Sequence, residues 1–492
     1  MEIFALLIPL IFALLFLLTN KKGVLHAINA TGAVLLLLAS IYITNGVLAF
    51  GNLSFPELAG YFYIDSLSVL LLDIILILGS LVCIYSIGYL NEEYKHKAIE
   101  LRSIKLFYIL IYTFIFTMVL VVTTQNLGLM WIAIEATTLA SVFLVGFYNN
   151  KHSIEAAWKY VIICSVGIAL ALLGIVFINY ASASVFHNPS IQLNWLFLNQ
   201  NAAKLDASIL KIAFIFIFVG YGTKVGLAPM HTWLPDAHSQ APAPISALLS
   251  GVLLNSAMYG IIRVTIIVNK SLGSTAYTGR LFLIAGFLSI ATAALFILRQ
   301  RDYKRLLAYS SIEHMGIIAL GFGAFTPIAV FGALFHMVNH AFTKSMLFLS
   351  SGNVYLKYKT KEISRVTGLL RILPITGTAF LLGLFAIAGM PPFSVFASEL
   401  NIIIAFFDAD HTALGIMLIL LISLVFVGIA VSMLMMFFGE VKNKNMVRGD
   451  INYPGTAVII VLFVVIAVMG LYMPKPLSML IESASRIIMG GQ

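Results

Sequence analysis

The sequence has few charged residues and almost no cysteine. Only 10% of its 492 residues are charged, whereas 61% are hydrophobic. Soluble domains carry about 25% charged residues, so this composition excludes an ordinary water-soluble protein and predicts a multi-pass membrane protein. The two cysteines, Cys83 and Cys164, lie in apolar runs without a CxxC spacing, which excludes cysteine-bound iron–sulfur, haem and zinc sites. We expect no cofactor and no metal in this chain.

The chain also lacks a separate basic domain and a removable signal. Its net charge is +9, but the basic residues lie between apolar runs, a pattern that sets membrane orientation rather than nucleic-acid binding. Residues 1–19 are apolar, without a basic start or a small-residue cleavage site. They therefore predict a first membrane span instead of a cleaved signal peptide.

The apolar runs predict an all-α membrane protein with about fourteen spans, since one spanning helix needs about 20 mostly apolar residues. In chain order, the predicted spans 1 to 14 are 2–19, 27–47, 66–89, 105–123, 127–147, 156–180, 209–227, 245–268, 280–299, 304–322, 326–351, 373–407, 412–438 and 452–472. A short amphipathic tail, Pro476–Gln492, is expected to lie at the membrane surface.

The positive charges predict how the chain is oriented. Most lysines and arginines lie in loops that follow odd-numbered spans, for example Lys95–Lys105, Arg299–Arg305, Lys357–Arg371 and Lys442–Arg448. Positively charged loops stay in the cytoplasm. Both termini are therefore expected outside, together with the long polar loop Ala181–Ser208.

Helix-breaking residues interrupt two of the predicted spans. Gly226 and Pro229 break span 7, and Pro391 and Pro392 break span 12. The breaks are five spans apart, and two consecutive units of five spans run in opposite senses, as in inverted-topology repeats. The expected divisions are N-terminal spans over 1–104, a first five-helix repeat over 105–268, a second, inverted repeat over 279–438, and the last span with the tail over 452–492.

Ionisable residues inside the predicted spans are few, and six of them form the predicted proton pathway. A charge at membrane depth costs about 2.5–3.5 kcal/mol on insertion scales, so such residues mark ion pathways by default. Three of the six lie in predicted span 11 at a spacing of four residues, which places them on one helix face. Histidine titrates near neutral pH and is suited to passing protons. The six residues are Glu135, Lys224, His336, His340, Lys344 and Glu399.

Other polar residues are weighed against structural roles. Glu313 and His314, near the start of span 10, could cap the helix or pair with each other, and a lone buried histidine is more often a hydrogen-bonded core residue. His231, Asp236 and His238 follow the break in span 7. We expect these three to hold the break and to admit protons.

Four long motifs resemble a known superfamily. The motifs are KVGLAPMHTWLPDAHSQAPAPISALLSGVLLNSAMYGIIR, DYKRLLAYSSIEHMG, HMVNHAFTKSMLFLSSG and AIAGMPPFSVFASEL. They are similar to the antiporter-like proton-translocating subunits of respiratory complex I, of Mrp-type cation/proton antiporters and of group 4 membrane-bound hydrogenases. Within that superfamily, SSIEHMG and NHAFTKSMLFLSSG most resemble the hydrogenase-4 component F type.

The resemblance implies a role for each pathway residue. Glu135 would be the acidic partner and Lys224 the switching lysine, the stripe on span 11 would link the two halves, and Glu399 would lie at the exit. Complex I members often carry lysine or histidine in the middle of span 8, where this chain has Asn255. The path between the halves is therefore expected to depend on water, on Arg263, or on the Glu313–His314 pair.

The resemblance also implies a function, partners and a location. It favours a proton-translocating subunit, with sodium as the alternative ion, of a redox-driven complex of the membrane-bound nickel–iron (NiFe) hydrogenase type. The expected partners are other membrane subunits, the lipid bilayer, and hydrophilic redox subunits that carry Fe–S and NiFe centres. The expected location is the prokaryotic plasma (inner) membrane.

Three other functions stay open at this point. The chain could be a subunit of a Mrp-type sodium/proton antiporter, without redox chemistry, or of NADH–quinone oxidoreductase (complex I). A stand-alone transporter for a small solute is disfavoured, because paired charges inside the membrane suit protons better than a solute.

Overall fold

In the computed structural model, the chain folds as a bundle of long helices. The structure describes residues 2–55, 60–189, 191–442 and 446–490; Met1, Lys444 of the predicted basic loop and the last two residues of the predicted tail lie outside the described residues. The helices of the first part are α1 (Glu2–Leu15), α2 (Lys22–Phe50), α3 (Ser66–Lys95), α4 (Leu101–Thr123), α5 (Leu127–Val145), α6 (Lys151–Ala183), α7a (Ala207–Val225), α7b (Trp233–Gln240) and α8 (Ala243–Leu272).

The second part continues in the same way. Its helices are α9 (Ala276–Ile297), α10 (Tyr303–Ala324), α11 (Pro327–Tyr358), α12a (Pro374–Ile387), α12b (Ser394–Asp408), α13 (Thr412–Phe438), α14 (Tyr453–Leu471) and α15 (Lys475–Ile488). One small hairpin precedes α3, in which Leu53–Ser54 pairs antiparallel with Tyr63–Ile64. A short helix, Trp195–Gln200, lies inside the long loop between α6 and α7a.

The helices confirm the prediction of an all-α, multi-pass membrane protein. In the described part, 11 helices are long and apolar enough to cross a membrane, judged by length and composition. The shorter apolar segments Phe4–Leu18 and Pro374–Ile387 coincide with predicted span 1 and the first half of predicted span 12. The count of fourteen crossings and the direction of the chain stay predictions.

Both predicted helix breaks are present. Gly226 ends α7a in the left-handed conformation, with φ of +81°, and Gly389 follows α12a with φ of +68°. Left-handed backbone is strained for residues with a Cβ, which explains glycine at both positions. Each predicted repeat unit thus has a broken helix in its fourth place, and the division into repeats stays a prediction.

Helix α8 contains a π-helical turn that the sequence did not predict. The turn covers Leu249–Leu253, and such turns occur often at functional sites. A Cβ built on Gly251 would lie only 2.8 Å from the Ala341 carbonyl oxygen. The absence of a side chain at Gly251 therefore lets α8 approach α11 closely.

The amphipathic tail is docked on the bundle. It forms α15, which packs on α3 and α11 through the buried side chains of Leu480, Ile481 and Ala484. The expectation that the tail lies at the membrane surface stays a prediction. Its apolar face is covered by protein because α3 and α11 present apolar surfaces beside it.

Candidate functional site

Lys224, in the last turn of α7a, is held by two hydroxyl groups. The side chain is 0% exposed, and its Nζ donates hydrogen bonds of 2.7 Å to Thr138 Oγ1 and to Tyr160 Oη. Its ammonium also lies 4.7 Å from the centre of the Tyr160 ring. A buried charge must be paired or hydrogen-bonded to be tolerated, and these contacts meet that need.

Glu135, the predicted partner of Lys224, is joined to it through Thr138. Thr138 Oγ1 donates to Glu135 Oε2 at 3.2 Å, and Ser165 Oγ donates to the other carboxylate oxygen at 3.0 Å. We call Glu135, Thr138, Tyr160 and Lys224 the lysine site. The carboxylate and the ammonium are therefore connected by one hydroxyl group that can accept from one and donate to the other.

A second buried group lies where α10, α11 and α12b meet. His314 Nδ1 and His336 Nε2 are 3.0 Å apart, and His314 Nδ1 is 3.8 Å from Glu399 Oε1. The ring of His340 lies 5.5 Å from that of His314. Glu313 Oε2 is 3.9 Å from the other nitrogen of His314. We call these five residues the histidine cluster.

Lys344 lies on the same face of α11 as the two histidines, as predicted, and is fully buried. Its Nζ donates to the carbonyl oxygen of Leu307 at 2.9 Å. Charge–charge interactions link it to Glu313 and to His340. Lys344 therefore adjoins the histidine cluster near Glu313 and His340.

Helix α8 makes polar contacts with α10 and α11. Ser250, in the π-helical turn, bonds to Ser311 Oγ at 2.8 Å. Asn255 Nδ2 donates to the carbonyl oxygens of Gly251 at 2.9 Å and Met337 at 3.2 Å. Asn255 thus holds α8 against α11. It stands at the position where, by the resemblance, complex I members often carry lysine or histidine.

The residues after the break in α7 have separate environments. Asp236 forms ion pairs with Lys159 at 3.1 Å and Arg305 at 2.7 Å, so it fixes α7b to α6 and α10. His238 is fully buried, stacks on Phe348, and neither ring nitrogen has a hydrogen-bond partner among the described residues. His231 is 9% exposed.

Two lysines hold the carbonyl end of α7b. Lys304 Nζ donates to the Ala241 oxygen at 2.6 Å, and Lys361 Nζ donates to the Ser239 oxygen at 2.6 Å. Cations near a helix carboxyl end are stabilising. Burial lowers the pKa of Lys361, which lies in the loop after α11, while the charge of Asp302 opposes that change.

A cavity of about 410 Å³ opens beside these lysines. It lies where α3 and α11 end and α10 begins, and we call that side of the bundle the basic end. Glu93 lines the cavity, is 2% exposed, and has one carboxylate oxygen without a partner in the described residues. We call the cavity the basic vestibule; its charged lining residues include Glu93, Lys304, Lys359 and Lys361.

Arg263 lies apart from both groups. It forms a two-contact ion pair with Asp65, with N–O distances of 2.8 and 2.6 Å, and stacks on Trp195 at 4.2 Å. Burial would raise the pKa of Asp65, but the guanidinium of Arg263 holds it below its usual value. The sequence allowed Arg263 to belong to the path between the halves, but in the structure its guanidinium pairs with Asp65 instead.

In the part of the chain that the structure describes, His314, His336 and Glu399 form a group that could hold a metal ion. Each offers one ligand atom, and these atoms lie within 4.8 Å of one another. The prediction of no metal rested on the spacing of the two cysteines. The sequence did not place three ligands from three different helices together.

The hydroxyl residues of the lysine site were missed by reasoning from the sequence. Thr138 lies three residues after Glu135 and therefore shares its helix face, which was a usable signal. Tyr160 and Ser165 lie on α6, and only the packing of α6 on α5 and α7a brings them close. Uncharged hydroxyl groups cost little in an apolar span and do not stand out there.

Known families match most of the chain. Residues 124–427 match the family described as NADH:quinone oxidoreductase/Mrp antiporter, TM. Residues 57–97 match NADH-ubiquinone oxidoreductase (complex I), chain 5 N-terminus. The first match includes the lysine site, the histidine cluster and both helix breaks.

Two curated relatives have hydrogenase names. The hydrogenase-4 component F homolog of Methylacidiphilum infernorum is 41% identical over 340 residues, which are 69% of this chain and 71% of that protein. Hydrogenase-4 component B of Escherichia coli is 32% identical over 346 residues, which are 68% of this chain but 49% of that protein.

Two solved structures share the fold. A chain of the archaeal membrane-bound sulfane sulfur reductase has a TM-score of 0.87 at 24% identity, over 99% of this chain and 97% of that one. A chain of the Mrp complex from Dietzia sp. DQ12-45-1b has a TM-score of 0.85 at 18% identity, over 99% and 97%. At such identities the likeness concerns the fold.

Proposed function

The chain belongs to the NADH:quinone oxidoreductase/Mrp antiporter family, and we propose that it is the proton-translocating subunit of a redox-driven membrane complex. A membrane-bound NiFe hydrogenase type is favoured, because 41% identity relates the chain to a hydrogenase-4 component F homolog. The Fe–S and NiFe centres would belong to partner subunits in the plasma membrane complex. Sodium is the alternative ion.

One observation carries the proposal: buried ionisable side chains adjoin both helix breaks inside apolar helices. Lys224, at the first break, and His314 and His336, at the second, are each 0% exposed. Glu399 approaches Gly389 so closely that a Cβ there would contact its carboxylate. Ionisable groups at such depth are expensive and mark ion pathways.

In the lysine site, Thr138 is the group that can relay a proton. Its hydroxyl accepts from Lys224 and donates to Glu135, so one proton can arrive at the oxygen while another leaves. Tyr160 offers a second acceptor to Lys224 and continues to Ser141 Oγ at 2.7 Å. A shift of α7a away from α5 would break the contact with Thr138. Lys224 would then give its proton to water, or to Tyr160 as Tyr160 passes its own hydroxyl proton on toward Ser141.

In the histidine cluster, each imidazole can receive a proton at one nitrogen and release another at the second nitrogen. The bond between His314 and His336 therefore forms a two-ring relay. Glu313 and Lys344 would supply protons to it, and Glu399 would receive them. Glu399 also lines a cavity of about 420 Å³, through which water could complete the exit.

The basic vestibule would be the intake from the cytoplasm, because positive loops stay on the cytoplasmic side. Glu93 would collect protons at its wall. His238, which interacts electrostatically with both Lys304 and Lys344, lies between the vestibule and the histidine cluster. It is the described side chain best suited to connect them.

The second candidate is a subunit of a Mrp-type sodium/proton antiporter. The observation in its favour is the fold of the Dietzia Mrp chain, which covers 99% of this chain. That function would exchange sodium for protons without an electron donor. A complex I subunit, coupled to NADH and quinone, is the third candidate.

Ion movement in vesicles that hold the purified complex separates these functions. With hydrogen or reduced ferredoxin as the electron donor, we expect proton movement that starts with electron transfer, measured by a pH-sensitive dye with sodium present and absent. Proton movement driven only by an imposed sodium gradient, with no response to any donor, would support the Mrp-type function instead. If neither condition moves protons or sodium, the proposed function is wrong.

A further inference from the structure

Three metal-ligating side chains from three helices meet inside the bundle. His314 Nδ1 lies 3.0 Å from His336 Nε2 and 3.8 Å from Glu399 Oε1, and the three residues offer ligand atoms within 4.8 Å of one another. We propose that these three residues bind a single Zn²⁺ ion and that the ion blocks the histidine cluster.

The ligand types and their separations suit zinc. Imidazole nitrogen and carboxylate oxygen are preferred zinc ligands, and tetrahedral bonds of about 2.0–2.1 Å place neighbouring ligand atoms about 3.3 Å apart. The separations of 3.0 and 3.8 Å lie on either side of that value. A small rotation of the Glu399 side chain toward His336 would complete the three-ligand set.

An outer hydrogen bond orients one of the two imidazole rings, and a carboxylate lies near the outer nitrogen of the other. His336 Nδ1, the nitrogen that faces away from the site, bonds to Ser398 Oγ at 2.9 Å. His314 Nε2 lies 3.9 Å from Glu313 Oε2, too far for a hydrogen bond, so that carboxylate is near the ring without yet holding it. Histidines that bind metals usually donate their second nitrogen to a carboxylate, a carbonyl or water, which fixes the tautomer and the ring. His336 therefore presents its inner nitrogen in the manner of a metal ligand, and Glu313 is the carboxylate nearest to the outer nitrogen of His314.

The charges around the cluster also favour a cation. Glu399 Oε1 and Glu313 Oε2 are buried and have no hydrogen-bond partner in the described part of the chain. Buried charges in proteins are paired or coordinate metals. One divalent ion, bound by Glu399 directly and balanced by Glu313 through His314, would neutralise both carboxylates.

A cavity leads to the proposed site and leaves room for a fourth ligand. The cavity of about 420 Å³ beside the break in α12 is lined by Glu399, Gly389, Pro391 and Ser423. Three protein ligands and one water are the usual set where a zinc site stays open. A water molecule in this cavity could complete the coordination.

Bound zinc would stop proton transfer because it uses the two nitrogens that the relay needs. His314 Nδ1 and His336 Nε2 share one proton in the metal-free protein, and the ion would displace that proton. This consequence rests on the proposed function, whereas zinc binding itself does not.

Zinc titration of the purified complex tests the binding. Loosely held metal is first removed with a chelator, and zinc content is then measured in the wild type, His336→Gln, Glu399→Gln and His152→Gln. His152 is exposed at the start of α6, so its variant controls for surface histidines. We expect the wild type and His152→Gln to retain one more zinc ion per complex than the other two variants. Equal zinc in all four would overturn the site.

Two further measurements keep the test sharp. X-ray absorption at the zinc edge should show two imidazole ligands in the wild type, and Ser398→Ala should weaken binding about 10–100-fold, since that is the usual effect of losing an outer hydrogen bond. Zinc that binds with unchanged affinity in Ser398→Ala and without imidazole ligands contradicts the assignment. In vesicles, zinc should arrest proton movement in His152→Gln as in the wild type. If the complex binds zinc but moves no ions even when metal-free, the zinc site stands and the proposed function is wrong.

Discussion

At the scale of single residues, the buried ammonium of Lys224 depends on neutral oxygens. Two hydroxyl groups accept from it at 2.7 Å, and the carboxylate of Glu135 is reached only through one of them. Hydrogen bonds to charged groups contribute about 1.5–3 kcal/mol each. Thr138 is therefore as important to the lysine site as either charged residue.

Thr138→Val tests that conclusion, because valine has the shape of threonine without its hydroxyl. Loss of about 1.5–3 kcal/mol at the relay corresponds to roughly 10–100-fold slower proton movement. The matched control is Thr137→Val: Thr137 is also buried but donates only to the backbone oxygen of Ile134. Equal proton movement in the two variants, measured in vesicles with the same amount of complex, would show that Thr138 has no part in the relay.

The charged members of the site could be predicted from the sequence, and their partners could not. Lys224, His336 and Glu399 stand out because ionisable residues are rare in apolar runs. Tyr160 does not stand out, since tyrosine is common in such runs, and its distance from Lys224 depends on how α6 packs on α7a. Arg263 was placed near the path for the same reason: its charge is visible in the sequence, but its pairing with Asp65 is not.

At the scale of helices, the break in α7 positions the lysine site. Gly226 is left-handed, and a Cβ there would also collide with the Leu234 side chain. Gly273, at the end of α8, has φ of +59° but open space around it. A side chain would strain the backbone at both glycines, but only at Gly226 would it also collide with a neighbouring side chain.

Gly226→Ala should destabilise the protein more than Gly273→Ala. The left-handed conformation costs about 1–2 kcal/mol in either variant, whereas only the first must also displace Leu234 and α7b. Thermal unfolding of the purified complex, read from a fluorescent reporter on α7b, measures the difference. Equal loss of stability would mean that α7b adjusts freely and that the break is not held as described.

The sequence predicted the helix breaks but not the π-helical turn of α8. Glycine and proline act on the backbone directly, so Gly226 and Pro391 indicate breaks without knowledge of the packing. The turn over Leu249–Leu253 contains one glycine in an otherwise continuous apolar helix. It forms where α8 meets α11, and that contact is not visible in the local sequence.

At the scale of the whole molecule, the Asp65–Arg263 ion pair joins the start of α3 to α8. Both side chains are about 5% exposed. Removal of one partner leaves an unpaired buried charge and costs about 3–5 kcal/mol. The pair therefore holds α3 against α8 without touching the lysine site or the histidine cluster.

Arg263→Gln alone should destabilise the complex by about 3–5 kcal/mol, while the double variant with Asp65→Asn should recover part of the loss. The double variant should still move protons at close to the normal rate in vesicles. If the double variant is stably assembled but moves no protons, Arg263 belongs to the ion path after all.

Two neighbouring glutamates, Glu92 and Glu93, test whether protons enter through the basic vestibule. Glu93 is buried in the vestibule wall, whereas Glu92 pairs with Lys95 at 2.6 Å on the outer side of α3. Glu93→Gln should slow proton uptake about tenfold, equivalent to 1.4 kcal/mol in the barrier, and Glu92→Gln should have no effect. Identical uptake rates in the two variants would remove the vestibule from the proposed intake.

The central claim is that ions cross the membrane through Lys224. Its most direct test is proton movement by vesicles that hold the assembled complex with Lys224→Ala or Glu135→Gln, compared with Lys211→Ala, an exposed lysine on the same helix. The account predicts that Lys211→Ala moves protons normally, while the other two variants move none although they assemble and transfer electrons. Proton movement that survives in both Lys224→Ala and Glu135→Gln would contradict it.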